Sequence, residues 1–166
     1  MSILKEWQTM RVEIVSYSDK YSKFFYDLNH NWLREYFYVE EYDEMILKNC
    51  KEEMINKGGY IFFALYETEV VGTMALISRE NNVYELNKMA VKKDLRGNGI
   101  GHQLIQFIID YSLKYNFESV ILYSNTVLRN SIHLYNKFGF RKIDNPDAPY
   151  KRSDIKMELK LSNLRK

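Results

Sequence analysis

The segment Arg96-Gly97-Asn98-Gly99-Ile100-Gly101 concentrates the residue types best suited to holding a phosphate. It lies between a β-rich run and a helical one. A helix N-terminus presents unpaired backbone N–H groups and the positive end of the helix dipole, and glycines let a phosphate approach that backbone closely. Arg96 can add a charge-assisted hydrogen bond to a phosphate oxygen. The spacing lacks the Gly-Lys-Ser/Thr of a Walker loop and departs from the dinucleotide fingerprint G-x-G-x-x-G. Taken alone, the three glycines suit a tight strand-to-helix turn equally well.

The elements that must position this loop can be read from periodicity and turn chemistry. Met10 to Val15 reads as a first strand. A helix capped by Ser16 or Ser18 follows, with Tyr21, Phe25, Leu28 and Trp32 at helical spacing. A second helix, capped by Asp43, carries Leu47, Cys50 and Met54 on one stripe and stops at Gly58-Gly59. Tyr60 to Tyr66 and Glu69 to Ser78 form a hairpin through Glu67-Thr68, and Asn81-Asn82 turns the chain into a third strand of that meander, Val83 to Val91.

From Gly99 the period becomes helical, with Leu104, Ile105, Ile108, Tyr111 and Ser112 on one face up to Tyr115-Asn116. Ser119 to Tyr123 is a short buried strand. Arg129 to Phe138 is a helix stopped by Gly139. Phe140 to Ile143 and Ile155 to Leu161 are closing strands, separated by Asp144 to Asp154 with Pro146 and Pro149. The order β-α-α-β-β-β-α-β-α-β-β predicts a single α/β domain over residues 1–166, with its core at about 11–161 and one mixed sheet.

Composition narrows the function classes. The chain has 166 residues, 46% hydrophobic and 28% charged, with 14 Tyr, which suits one globular domain. A formal net charge of +2 gives no footprint for nucleic acid or an acidic membrane surface, and the mildly basic Lys160 to Lys166 reads as a solvated end. The single cysteine, Cys50, allows neither an internal disulfide nor a cysteine metal cage. His30, His102 and His133 show no ligand spacing, so no metal is expected. Lys5, Glu6 and Arg11 precede any apolar stretch, and no apolar run spans a membrane. A cytoplasmic protein, without nucleic-acid or membrane partners, is the expectation.

Arg96-x-x-Gly99-x-Gly101, preceded by Glu85-Leu-Asn-Lys-Met-Ala-Val91, resembles the cofactor motif of the GNAT superfamily of acyl-CoA N-acyltransferases. Asn130-x-x-x-Leu134-Tyr135-Asn-Lys-Phe-Gly139-Phe140 resembles that family's distal motif. The resemblance covers about residues 60–161. It implies a sheet of about seven strands flanked by about four helices, splayed between the fourth and fifth strands, with acetyl-CoA as co-substrate. The pantetheine arm would pair with the backbone of Met89, Ala90 and Val91. The pyrophosphate would sit on the amides of Arg96, Gly97, Asn98, Gly99, Ile100 and Gly101. Asn130 and Lys137 are further cofactor contacts, and Lys92, Lys93 and Arg129 are candidates for the 3′-phosphate.

An aliphatic amine with a pKa of about 10 must lose a proton before attacking a thioester. The oxyanion then needs a donor, for which a backbone N–H near Ala90 or Val91 is placed. By the family pattern Tyr135 is the general acid toward the departing thiolate, although a Tyr here also fills helix-to-sheet space. Glu85 is the candidate base, directly or through a water that Asn125 can hold; a solvated strand glutamate and a turn asparagine are the plainer alternatives.

In this family the acceptor pocket is made by the first two helices and the late strand connection. Trp32-Leu-x-x-Tyr36-Phe37, Glu40, Asp43 and Tyr150-Lys-Arg152 resemble one subgroup. Trp32, Tyr36, Glu40, Tyr150 and Arg152 are therefore acceptor candidates. Arg152 can bind a carboxylate, and Glu40 or Glu41 can attract an ammonium; a loop salt bridge serves equally. The expected function is acetyl transfer to a primary amine of a small molecule, amino acid or peptide. A non-catalytic CoA-binding or sensing module is the alternative, and a homodimer is compatible with either.

Overall fold

The computed structural model describes residues 9–145 and 148–165. Lys5, Glu6, Pro146 and Lys166 lie outside them. Its strands are β1 (Glu13–Ser16), β2 (Tyr60–Tyr66), β3 (Glu69–Ser78), β4 (Val83–Val91), β5 (Ser119–Ser124), β6 (Arg141–Ile143) and β7 (Ile155–Lys160). They form one mixed sheet in the order β1-β2-β3-β4-β5-β7-β6. Every adjacent pair is antiparallel except β4 and β5, which run parallel. Helices α1 (Ser22–Tyr36), α2 (Glu41–Lys48), α3 (Ile100–Lys114) and α4 (Arg129–Lys137) cover its faces. The expected mixed sheet and four helices are present.

Alternation along β2 divides the core in two. Phe62 and Ala64 join Leu104, Ile105, Ile108, Leu122 and Phe140 on the α3 side. Ile61 and Phe63 join Phe25, Leu33, Leu47 and Met54 under α1 and α2. Each face of the sheet is thereby buried by its own helices, as the period-2 pattern demands. Among the described residues no helix is long and apolar enough to cross a membrane.

Several boundaries differ from the expectation, each for a local reason. Strand β1 starts at Glu13, because Met10 and Val12 are held by the α3 end: Met10 N–H donates to Asn98 O (3.1 Å) and Val12 N–H to Gln103 Oε1 (3.1 Å). Neither Ser16 nor Ser18 caps α1; Ser18 instead precedes a 3-10 turn, Asp19–Tyr21, that leads into it. The buried face of α1 is Phe25-Asn29-Leu33, so a polar residue occupies one turn of the inward stripe.

Asp43 is not the cap of α2. Glu40 is, and Asp43 sits at the third helical position, accepting the Glu40 N–H (3.0 Å) in a capping box. The helix then ends at Lys48, and Met54 lies on a separate π turn, Lys51–Ile55. At Gly59 an added Cβ would lie 2.5 Å from Leu76 O and 2.8 Å from Met54 O, so no other residue fits there.

Candidate active site

The site begins with a defect in strand pairing. Strand β4 pairs with β5 only from Val83↔Ser119 to Leu86↔Leu122, although β4 runs on to Val91 and β5 to Ser124. Against β3, the register passes from Ala75↔Asn87 to Thr73↔Ala90, which leaves one extra residue in β4. Lys88 takes the left-handed conformation there, with φ 51°. Such a bulge bends its strand and increases its twist, and here it leaves the β5-facing edge of β4 unpaired beyond Leu86. The result is a cleft of about 790 Å³ between the diverging strands, bounded by α1, the start of α3 and α4.

Residues 96–101 close one part of that cleft. Gly97 and Gly99 have φ values of 82° and 79°, a conformation disfavoured with a Cβ. A Cβ on Gly99 would also come within 2.8 Å of Thr9 Cγ2. Gly99 is the N-cap of α3. Among the described residues, the N–H groups from Gly97 to His102 find no backbone acceptor. Gly97, Gly99, Ile100 and Gly101 line the cleft, which gives an anion-ready surface of free amides at a helix N-terminus. Asn98 does not line it; its Nδ2 donates to Leu95 O (2.9 Å) and its carbonyl accepts Met10 N–H, so it braces the loop from behind.

Arg96 lines the cleft but is turned toward α1. Its Nη1 donates to Glu35 Oε2 (2.9 Å) and Tyr36 OH (3.3 Å), and its Nε to Val91 O (3.1 Å). A guanidinium expected to face a phosphate thus already has a carboxylate partner. Lys92 and Lys93 flank a neighbouring groove with Arg34 and Glu35.

Met89, Ala90 and Val91 line the cleft along β4, and Arg129, Asn130, Tyr135 and Lys137 line it from α4. Tyr135 is 9% exposed, and its ring packs on Phe140 with centroids 5.9 Å apart. Burial pushes its phenol up to about 12, so it is protonated at neutral pH.

The third part of the cleft is a polar cluster that spacing did not reveal. Asp43, 0% exposed, accepts Lys88 Nζ (2.5 Å) and, through both oxygens, Arg152 Nη1 (2.6 Å) and Nη2 (2.9 Å). Arg152 also donates to Glu40 Oε2 (2.9 Å), and its guanidinium lies 4.2 Å from the centroid of the Tyr150 ring. Tyr150 OH accepts Lys88 Nζ (3.2 Å) and Asn87 Nδ2 (3.1 Å). Trp32, Tyr36, Asn87, Lys88, Tyr150 and Arg152 line the cleft; Glu40 does not. The resemblance names Glu40, Asp43, Tyr150 and Arg152 together, whereas Lys88 and the pairing of these groups come only from the fold.

The two other predicted catalytic residues also stand away from the lining. Glu85, 1% exposed, accepts Arg79 Nη2 (2.6 Å) and the Asn87 amide, and lies behind Asn87 as seen from the cleft. Asn125 donates to Arg152 O (2.6 Å) and accepts Val127 N–H (2.9 Å), tying the loop after β5 to the chain at Arg152. His102 and His133 line the cleft, whereas His30 stacks on Tyr26. Among the described residues no group of three His, Cys, Asp or Glu is placed to hold a metal.

Residues 23–140 match the acetyltransferase (GNAT) family. The chain belongs to that family. This GNAT chain is 33% identical over 87 residues to N-acetylaspartate synthetase of Danio rerio, an alignment covering 52% of the chain and 31% of that protein. The chain thus spans about a third of the length of that curated relative. Its fold is similar to that of a GNAT acetyltransferase from Staphylococcus aureus Mu50, with a TM-score of 0.81 and 23% identity over 91% of this chain and 99% of that one. It is also similar to a Bacillus subtilis acetyltransferase solved in complex with CoA, with a TM-score of 0.70 and 19% identity over 91% and 99% of the two chains.

Proposed function

We propose that this GNAT chain transfers an acetyl group from acetyl-CoA to a primary amine, by direct attack within a ternary complex. One observation carries the reading. The β4–β5 pair stops at Leu86↔Leu122 and opens into a single cleft that holds free α3 amides and the protonated Tyr135 together. An extended thiol-bearing arm fits the unpaired edge of Met89, Ala90 and Val91, and a pyrophosphate fits the amides of Gly97 to Gly101. Asn130, Lys137 and Arg129 reach the same ligand from α4. Arg96 joins them by exchanging Glu35 for a phosphate oxygen.

In the transfer, the amine nitrogen bonds to the thioester carbonyl carbon and the C–S bond breaks. The N–H of Val91, which the ladder to β3 leaves free, supports the developing oxyanion. Tyr135 donates to the departing sulfur and recovers its proton from solvent. The proton lost by the amine goes to a base or to water. Glu85, behind Asn87 and paired with Arg79, acts on it through a water and not by contact.

That role has a pH signature. If Glu85 is the base, Glu85→Gln lowers kcat/KM and changes the shape of its pH profile, with the loss greatest for amines that must shed a proton before attack. A profile for Glu85→Gln that keeps the wild-type shape assigns Glu85 to holding Asn87 and Arg79. The function itself is tested by amine-dependent release of free thiol from acetyl-CoA; CoA binding without such release marks a non-catalytic module.

A further inference from the structure

The charge of the cleft wall speaks to the acceptor. Among the described residues no Asp or Glu lines the cleft, whereas Lys88, Arg96, Arg129, Lys137 and Arg152 do. Three of these belong with the phosphates of the co-substrate. Lys88 and Arg152 belong to a separate cluster around Asp43 and Tyr150. There the carboxylates stand behind the cations: Asp43 is wholly buried, and Glu40 is engaged by Arg152 without lining the cleft. The four charges cancel in sum but not in space, so the cluster turns its positive side toward the acceptor. A carboxylate that fixes two cations in a buried position also preorganises them, since neither needs to find its place when an anion arrives.

A second observation supplies the other half of the ligand. Asn29, 3% exposed, lines the cleft from the buried stripe of α1. Its Nδ2 donates to Phe25 O (2.9 Å), which leaves its Oδ1 as an acceptor free of partners among the described residues. That oxygen is not sealed from solvent, so an amine N–H entering the cleft can take the place of water on it.

We infer that the acceptor is a small aminocarboxylate, its carboxylate taken by Arg152 and Lys88 and its amine directed by Asn29. This rests on the acetyl-transfer reading and narrows it. A polyamine would instead meet two cations with no carboxylate exposed to receive it, an arrangement that rejects as well as selects. The expectation that Glu40 attracts an ammonium is replaced: Glu40 holds Arg152.

The test compares amino acids with their own carboxamides and with spermidine, by thiol release and mass of the acetylated product. The acids are expected to exceed both by at least about 100-fold in kcat/KM. Arg152→Gln is expected to reduce that ratio below about tenfold with the KM for acetyl-CoA unchanged, and Arg152→Lys, which keeps the charge against Asp43, to give an intermediate ratio. Carboxamides or spermidine used as well as the acids would overturn the inference and leave acetyl transfer standing. Calorimetry with N-acetyl amino acids against their amides, on the CoA-bound protein, needs no turnover. Carboxylate-selective binding without thiol release from any amine would keep the anion site and remove the transferase reading. Binding without such selectivity would remove the anion site.

Discussion

Replacing Tyr135 by Phe is expected to lower kcat at least about tenfold while acetyl-CoA binds as before. The substitution deletes one oxygen. The ring keeps its packing on Phe140 and its place in the cleft wall, so a loss confined to kcat reports the hydroxyl and not the fold. A group pushed up to about 12 by burial does not deprotonate across the neutral range. Any fall in wild-type activity between pH 8 and 10 therefore belongs to another group. Single-turnover measurement of thiol release against pH separates the two. An unchanged kcat in Tyr135→Phe removes the phenol from the chemistry and leaves it a filler between helix and sheet.

The largest effect on stability is expected from Asp43→Ala. The carboxylate is fully buried and is shared by Lys88 and Arg152; its removal leaves two cations close together in a place water reaches poorly. Breaking a buried pair in this way costs about 3–5 kcal/mol, a fall in Tm on the order of 10 °C for a chain of this size. The same carboxylate predicts an acid limb. Burial alone pushes its pKa up, but Arg152 and Lys88 together hold it below its ordinary value of 3.8. A carboxyl depressed in the folded state contributes its full stability above the unfolded value and loses it as pH falls through the folded one. The stability of the wild type should fall steeply in that acid range, and that of Asp43→Ala more gently. Urea unfolding at a series of pH values measures both; equal slopes would assign acid lability to other carboxylates. Asp43→Ala combined with Lys88→Met should recover part of the loss, since the second change removes an orphaned charge.

The contrast between these two residues shows where the sequence was legible. Tyr135 stands in a helix that ends at Gly139, and Gly97 and Gly99 need left-handed backbone; such constraints act over a few residues and leave local traces. Strand and helix order follows from the same short-range physics, and β4 and β5 part beyond Leu86↔Leu122, between the strands where the family resemblance put the splay.

Asp43 is different. It sits at the start of a helix, where a cap is the economical explanation, and its partners lie 45 and 109 residues away. The bulge that turns Lys88 inward comes from the register of β4 against β3, which alternation does not encode. Arg96 was assigned to a phosphate on local grounds, while the carboxylate that holds it, Glu35, lies 61 residues earlier on α1. Glu85 was placed on the right strand, but without the Arg79 and Asn87 contacts that keep its side chain out of the cleft lining. Chemistry that depends on one loop was visible from local physics; residues of the three-element cluster were named only through resemblance, and their pairing was not.

The central claim is that the wedge between β4 and β5 holds acetyl-CoA for transfer to an amine. It is tested most directly by incubating the protein with acetyl-CoA and a panel of amines, and quantifying free CoA thiol and N-acetylated product together. Equimolar thiol and acetylated amine, dependent on both protein and acceptor, is the predicted result. CoA that binds while neither product forms with any amine, or thiol released without an acetylated amine, would contradict it.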